Sequence, residues 1–258
     1  MVHPLAPGGL PSVCILAGGL GTRLGERSAH TPKALIEVAG APFALHQLAL
    51  LARAGATHVV FCVGHLGGQI EERIGARRFG IAIDYSYDQP ALDGTLGALR
   101  RAAPLLGARF LYLYGDTYLR IDYATVNAAW RTSALPALMT VIPATRALGA
   151  PNATFDGHLV RAYDKATPQP AMGHIDYGLG GFVTTVLGEH DNKAADLASL
   201  HRQLARSGQL FGYEAHRRFY EIGTEEALKQ TQRFLVEERR RFPFPLEAGG
   251  QRSSSDTP

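Results

Sequence analysis

The chain has 258 residues, with 26 Lys and Arg against 23 Asp and Glu, and 46% of its residues are apolar. This length fits one large α/β domain or two small ones, and the apolar fraction is sufficient for a sizeable core. The net charge of +3 is spread along the chain, without a basic block of the kind that binds nucleic acid. No apolar run reaches the roughly 20 residues of a membrane helix, so we expect neither nucleic acid nor a membrane as a partner.

The cysteines and the two ends of the chain indicate a cytoplasmic protein. Cys14 and Cys62 each lie in an apolar run, which is typical of small buried side chains. Segment 1–11 lacks the basic and apolar regions of a signal peptide. Segment 243–258 is rich in Pro, Gly and Ser, which predicts a disordered tail.

Strands and helices alternate through the first half of the chain. Apolar runs predict strands at 13–17, 58–63, 81–85, 110–114 and 137–142. Helical spacing predicts helices at 43–54, 69–74, 96–106 and 122–130, the last capped by Asp122. The alternation predicts a doubly wound, mostly parallel, Rossmann-like α/β sheet with helices on both faces. Such sheets bind ligands at the carboxyl ends of their strands.

The second half is less regular and contains no internal repeat. We expect a hairpin at 154–163 that turns at Asp156-Gly157, because Asp-Gly is a strong turn signal. The remaining predicted elements are a glycine-rich strand at 178–186, a helix at 195–207, strands at 210–214 and 219–222, and a long helix that Thr224 caps and that reaches about 241.

The strongest motif directly follows the first predicted strand. Residues 16–24 read L-A-G-G-L-G-T-R-L, and P-K follows at 32–33. Glycine allows backbone N–H groups to approach phosphate oxygens. Arg23 adds a bidentate phosphate donor and Lys33 a compact charge. A glycine loop alone could be a tight turn, but together with these cations it predicts a phosphate site. Its expected backbone contacts are Leu16, Ala17, Gly18, Gly19, Gly21 and Thr22.

Two other phosphate motifs fit less well. A Walker loop requires Gly-Lys followed by Ser or Thr, and that triplet does not occur. A dinucleotide fingerprint requires G-x-G-x-x-G, whereas Leu24 occupies its last position here. The acidic residue expected after the second strand is also missing, because that strand ends V-G-H. An NAD(P)-dependent Rossmann oxidoreductase is therefore the less favoured alternative.

The segment L-A-G-G-L-G-T-R-L with the later P-K resembles the signature of the sugar-1-phosphate nucleotidyltransferases, which have a GT-A-like fold. The resemblance extends from about Val13 to Leu235 and includes short bacterial members of the heptose-1-phosphate guanylyltransferase and N-acetylmuramate-1-phosphate uridylyltransferase types. It implies an enzyme that joins a nucleoside triphosphate to a sugar 1-phosphate and releases pyrophosphate. Arg23 and the loop would hold the triphosphate, and Lys33 would bridge the α-phosphate and the sugar phosphate.

The resemblance also implies a nucleoside site and a magnesium site. D-G-T-L-G-A at 93–98 resembles a turn that lies against the nucleoside, which includes Gly94 and Thr95, and Gln89 falls where some members read the base. Y-G-D at 114–116 resembles a motif whose aspartate binds magnesium. E-I-G-T at 221–224 resembles the motif with the second ligand, so Asp116 and Glu221 would hold Mg²⁺.

A third group of residues would hold the sugar phosphate. Y-D-K at 163–165 resembles the motif whose lysine contacts that phosphate, here Lys165. D-Y-G at 176–178 resembles a sugar-contacting segment, which implicates Asp176 and Gly178. We interpret 1–242 as one domain, with a nucleotide-binding half at about 11–120 and a sugar-phosphate-binding half at about 121–242. The chain departs from the family motifs at four positions: Leu96 replaces a small residue, Asp164 a glutamate, Ala166 a proline and Glu221 an aspartate.

Several alternatives stay open at this point. The turn at 93–98 looks more like the guanylyl members, which favours GTP, whereas Gln89 suggests a pyrimidine. Asp116 could instead cap a helix, Lys165 could be a solvated hairpin residue, and Glu221 could pair with a neighbouring arginine. A non-catalytic nucleotide-sugar-binding regulator on the same fold is the alternative from another class. The oligomeric state, including a homo-oligomer, is also open.

Overall fold

The structure is a computed structural model that describes residues 9–19, 30–88, 94–146, 149–189 and 196–246. Its strands are β1 (Ser12–Leu16), β2 (Glu37–Val38), β3 (Ala41–Pro42), β4 (His58–Val63), β5 (Arg77–Arg78), β6 (Ile81–Tyr87), β7 (Arg109–Tyr114), β8 (Thr117–Tyr118), β9 (Ala137–Pro143), β10 (Ala153–Phe155), β11 (Val160–Tyr163), β12 (His174–Val183), β13 (Leu210–Glu214) and β14 (Tyr220–Glu221). Its helices are α1 (Phe43–Arg53), α2 (Gly67–Ile74), α3 (Gly94–Leu106), α4 (Tyr123–Ser133), α5 (Val186–Glu189), α6 (Leu197–Arg206) and α7 (Glu225–Arg241). Lys33–Leu35 and Ala144–Arg146 form 3₁₀ turns.

The apolar runs of the first half form the centre of the main sheet. Strands β7, β1, β4 and β6 lie side by side in that order, and each neighbouring pair is parallel. The strands and helices predicted for this half are all present, with ends shifted by a few residues. The carboxyl ends of these four strands meet at one edge, as expected for a wound sheet.

An antiparallel strand joins the second half to this sheet. β12 pairs antiparallel with β7 on one side and with β9 on the other, and β13 adds parallel to β9. The predicted hairpin is present as β10 and β11, and the Asp156 carboxylate accepts hydrogen bonds from the backbone of His158 and Leu159 at its turn. The strand predicted at 178–186 is wrong at both ends: it begins at His174, because Ile175 and Asp176 pair with β9, and Val186 begins helix α5.

Helices cover both faces of the sheet, which confirms the doubly wound prediction. Side chains alternate along β1: Val13 and Ile15 face one apolar cluster, which contains Leu45 and Leu48 of α1, while Cys14 faces the other. The second cluster includes the buried residues of α3 and α6. Both cysteines are buried and free, with their Sγ atoms 3.3 Å apart.

A third cluster holds the C-terminal helix against the edge of the site. Leu228 and Leu235 of α7 pack with Val38 and with Tyr118, which lies on the β8–β14 ribbon. The packed chain continues beyond residue 242, where we placed the domain boundary, because Phe244 lies edge-on to His46 at 5.2 Å between ring centres. No helix in the described ranges is long and apolar enough to cross a membrane.

Candidate active site

A cleft of about 460 Å³ lies at the carboxyl ends of the parallel strands. The predicted nucleotide-site residues that line it are Leu16, Ala17, Gly18, Gly19, Gly94 and Thr95, together with Lys33 and Asp116. Four other predicted residues, Gly21, Thr22, Arg23 and Gln89, lie outside the described residues. The structure therefore brings the glycines at 18–19, the first residues of helix α3 and Lys33 together at one cleft.

A side chain on Gly18 would meet the carboxylate of Asp88. A Cβ atom on Gly18 would lie 2.7 Å from Oδ2 of Asp88, which follows β6 at its carboxyl end and lines the cleft. Asp88 is in turn held by Arg101, whose guanidinium lies 3.0 Å from Oδ1. The sequence analysis missed this pair, although a carboxylate directly after a predicted strand is a signal that could have indicated it.

Lys33 and Asp116 form an ion pair at the cleft. Lys33 lies in a 3₁₀ turn, and its Nζ is 3.0 Å from Oδ2 of Asp116. Asp116 lies in the turn between β7 and β8, where the Thr117 hydroxyl donates to its other oxygen at 3.2 Å. It therefore precedes a strand and does not cap a helix. Their side chains are 20% and 31% exposed, so phosphate oxygens and a cation could reach both.

The ribbon of β8 and β14 brings Glu221 to Asp116. Glu221 pairs with Thr117 across this ribbon, and the Ile222 N–H donates to the Asp116 carbonyl at 3.0 Å. One carboxylate oxygen of Glu221 and one of Asp116 each lie 4.0 Å from the position of a Cβ on Gly223, so these two oxygens are at most twice that distance apart.

Two nearby carboxylates suit Mg²⁺, which prefers oxygen ligands and usually takes one or two protein carboxylates beside phosphates and waters. Within the part of the chain that the structure describes, no group of three or more His, Cys, Asp or Glu could hold a metal ion. Asp116 and Glu221 are two carboxylates that could hold a metal ion together with a phosphate ligand.

Lys165 and Asp176 form a second ion pair, with Nζ 3.3 Å from Oδ2. Asp176 is nearly buried, at 6% exposure, and also accepts hydrogen bonds from the Tyr163 hydroxyl and the Gly178 N–H. Burial works against the charged form of Asp176, yet the Lys165 charge and the hydrogen bonds hold the pKa of this carboxyl below its ordinary value. Burial alone would lower the pKa of Lys165, but Asp176 raises it, so both groups are charged.

Tyr114 connects the two ion pairs. It lines the cleft beside Asp116, and the ammonium of Lys165 lies 5.3 Å from its ring centre. Gly178 has a φ of +99°, and a Cβ there would lie 3.5 Å from the Tyr114 ring. Lys165 thus lies beside a residue of the cleft wall, with its side chain 46% exposed and its ammonium paired with Asp176.

The fold and this cleft define a class: a doubly wound α/β protein with a glycine-lined cleft, flanked by lysines and carboxylates, of the kind that binds phosphorylated ligands. Residues 13–208 match the family model of the MobA-like NTP transferase domain. The chain belongs to this family.

Two of the relatives by sequence are named as enzymes that act on sugar 1-phosphates. The chain is 39% identical over 125 residues to N-acetylmuramate alpha-1-phosphate uridylyltransferase of Neisseria meningitidis serogroup B, a match that spans 47% of this chain and 53% of that protein. It is 38% identical over 94 residues to mannose-1-phosphate guanyltransferase beta-B of Xenopus laevis, which spans 36% of this chain and 26% of that protein. The matches thus span about half of the first relative and about a quarter of the second.

Solved structures share the fold at low identity. HddC from Yersinia pseudotuberculosis complexed with GMP-PN aligns with a TM-score of 0.72 at 20% identity, covering 88% of this chain and all of that one (100%). The inositol-1-phosphate CTP transferase from T. maritima aligns with a TM-score of 0.69 at 14% identity, covering 88% and 96%. These likenesses agree with the predicted GT-A-like nucleotidyltransferase fold.

Proposed function

We propose that this protein transfers a nucleotidyl group from a nucleoside triphosphate to a sugar 1-phosphate, giving a nucleoside diphosphate sugar and pyrophosphate. The observation that carries the proposal is the ion pair of Lys33 and Asp116 at a glycine-lined cleft whose wall includes Tyr114. The Lys165 ammonium lies 5.3 Å from the centre of the Tyr114 ring. Two lysines near this cleft suit a ligand with two separate phosphate groups. The glycine loop and Lys33 serve the nucleotide half, 11–120, and Lys165 serves the sugar-phosphate half, 121–242.

The chemistry requires positioning more than acid–base catalysis. An oxygen of the sugar phosphate attacks the α-phosphorus in line, a new P–O bond forms, and the bond to the pyrophosphate oxygen breaks. A phosphate monoester is already anionic, so the attack needs no general base. Lys33, placed between both reacting groups, neutralises the negative charge that develops at the α-phosphate. Lys165 and Asp176 orient the sugar phosphate, since their fixed geometry lowers the entropy lost in reaching the reactive arrangement.

Asp116 and Glu221 are the residues that would hold Mg²⁺. When bound, the ion supplies positive charge to the triphosphate oxygens. Because the Lys33 ammonium lies 3.0 Å from Asp116, it partly neutralises this carboxylate when no nucleotide is bound. Phosphate binding would draw Lys33 toward the phosphate and leave Asp116 to the metal, so metal and triphosphate should bind together.

We propose GTP as the preferred triphosphate, because the segment at 93–98 resembles the guanylyl members. Gln89, which we propose as a reader of the base, favours a pyrimidine instead. The name of the Xenopus laevis relative and the GMP-PN complex of HddC support the choice of GTP. UTP is the second candidate, because the Neisseria meningitidis relative is named a uridylyltransferase.

The test is pyrophosphate release from a matrix of five nucleoside triphosphates and a panel of sugar 1-phosphates, with Asp116→Asn as the control. The proposal expects release only when both substrates are present, with GTP fastest. Triphosphate binding without release across the whole panel would favour the non-catalytic regulator. Gln89→Ala should change the difference between GTP and UTP, because an amide can donate and accept at a base edge.

A further inference from the structure

Helix α1 carries two adjacent buried polar residues, His46 and Gln47, in an otherwise apolar stretch. Gln47 is 2% exposed, and its neighbours Leu45, Leu48 and Leu51 belong to the main apolar cluster. A buried amide without partners is destabilising, so its hydrogen bonds show what it does.

Both hydrogen bonds of Gln47 go to the turn that carries Asp116. Its Nε2 donates to the carbonyl of Tyr114 and to the carbonyl of Thr117, each at 2.9 Å. These two carbonyls flank Gly115 and Asp116, so a single amide group spans the turn between β7 and β8. The backbone of this turn is also held from the other side, because the Gly115 N–H donates to the Leu16 carbonyl of β1 at 2.9 Å.

The same helix is fixed to the segment that carries Lys33. The Phe43 N–H donates to the Ile36 carbonyl at 3.0 Å, and His46 Nε2 lies 2.7 Å from the Val38 carbonyl oxygen. Ile36 directly follows the 3₁₀ turn of Lys33. Helix α1 therefore joins the backbone around Lys33 to the backbone around Asp116, and Gln47 makes the contact on the Asp116 side.

We propose that Gln47 is a positioning residue that clamps the β7–β8 turn and so sets where the Asp116 carboxylate lies relative to Lys33 and Glu221. This inference rests on the proposed function of the cleft. Gln47 would act only through Asp116, because its amide hydrogens are both used on backbone carbonyls. Loss of the two hydrogen bonds from Gln47 should therefore weaken metal binding in the presence of nucleotide while the melting temperature changes little.

The experiment uses Gln47→Met, which keeps the length of the side chain and removes both hydrogen bonds. Mn²⁺ binding to the full chain is measured by electron paramagnetic resonance with GTP present and no sugar phosphate, together with the melting temperature. We expect the Mn²⁺ dissociation constant to rise about tenfold, as for the loss of one to two hydrogen bonds. Leu48→Ala is the matched control on the same helix: it should lower the melting temperature and leave the dissociation constant unchanged.

Asp116→Asn tests whether Gln47 acts through Asp116. In that background Gln47→Met should change the Mn²⁺ dissociation constant less than twofold. If Gln47→Met does not fold, Gln47→Asn, which keeps an amide but is too short for both carbonyls, should shift the constant in the same direction. An unchanged constant in a folded Gln47 variant, or an equal effect of Leu48→Ala, would overturn the inference. Absence of pyrophosphate release by the unmodified protein would refute the proposed function and leave this binding test informative.

Discussion

Gly18→Ala is the perturbation for which the structure gives the clearest magnitude. A Cβ on Gly18 would lie 2.7 Å from Asp88 Oδ2, whereas ordinary contacts begin at 3.4 Å, so the carboxylate must move by about 0.7 Å. Asp88 cannot move freely, because it is 13% exposed and is paired with Arg101. Overpacking of this kind typically destabilises a fold by about 1–3 kcal/mol. For a domain of this size, a loss of about 2 kcal/mol lowers the melting temperature by roughly 4–8 °C.

Gly19→Ala is the matched control, since a Cβ on Gly19 would have no atom of the described residues within 4 Å. Urea unfolding should show a change within about 0.5 kcal/mol for this variant. Its effect should instead fall on GTP affinity, because we propose that the phosphates bind beside Gly19. The two neighbouring glycines thus separate packing from ligand binding.

A double-mutant cycle with Asp88→Ala tests the stated cause. Removing the Asp88 carboxylate should relieve the clash, so we expect a coupling energy of at least about 1 kcal/mol between the two substitutions. Equal stability losses for Gly18→Ala and Gly19→Ala, or additive effects in the cycle, would refute this account of the glycine loop.

The remaining predictions concern charge. Lys33→Ala should lower turnover by more than about 100-fold with little change in melting temperature, because contacts that stabilise transition-state charge are worth roughly 3 kcal/mol. Steady-state kinetics measures this, with Lys229→Ala as the control, since Lys229 is exposed on helix α7. A Lys33→Ala turnover near the unmodified rate would exclude the role of Lys33 in transition-state stabilisation. Glu221→Gln should raise the magnesium concentration for half-maximal rate, and an unaltered magnesium dependence would contradict its role as a ligand. Burial lowers the pKa of His201 to about 4, below its unfolded value of 6.5, so the unfolded chain binds more protons and stability falls as pH drops from about 6.5 to about 4. Urea unfolding at pH 7 and at pH 4.5 should show that His201→Gln loses less unfolding free energy between these two pH values than the unmodified protein does. Equal losses in the two proteins would show that His201 is not the cause.

The sequence was most informative where local chemistry decides the structure. The predicted caps Asp122 and Thr224 both accept hydrogen bonds from the first turns of their helices. The continuous apolar run at His58–Val63 is the buried strand β4 with the predicted bounds. These features depend on side chains near in sequence, so periodicity and capping rules were sufficient.

Long-range pairing was not predictable from one sequence. The ends of β12 depend on its partners β7 and β9, and the two-residue strand β8, which was not predicted, exists because it pairs with β14. The partners of Lys33, Asp88 and Asp176 depend on the same tertiary arrangement. Gln47 gave only a weak signal, a polar residue inside an apolar helical stripe, which does not indicate what the amide binds.

The most direct test of nucleotidyl transfer follows the oxygen atoms. GTP and a sugar 1-phosphate labelled with ¹⁸O in its phosphate group are incubated with the protein and Mg²⁺, and the products are analysed by mass spectrometry and ³¹P NMR. Attack by the sugar phosphate on the α-phosphorus predicts that the nucleoside diphosphate sugar retains all of the label and that pyrophosphate has none. Label in pyrophosphate, or no nucleotide sugar from any triphosphate and sugar 1-phosphate of the matrix, would contradict the account.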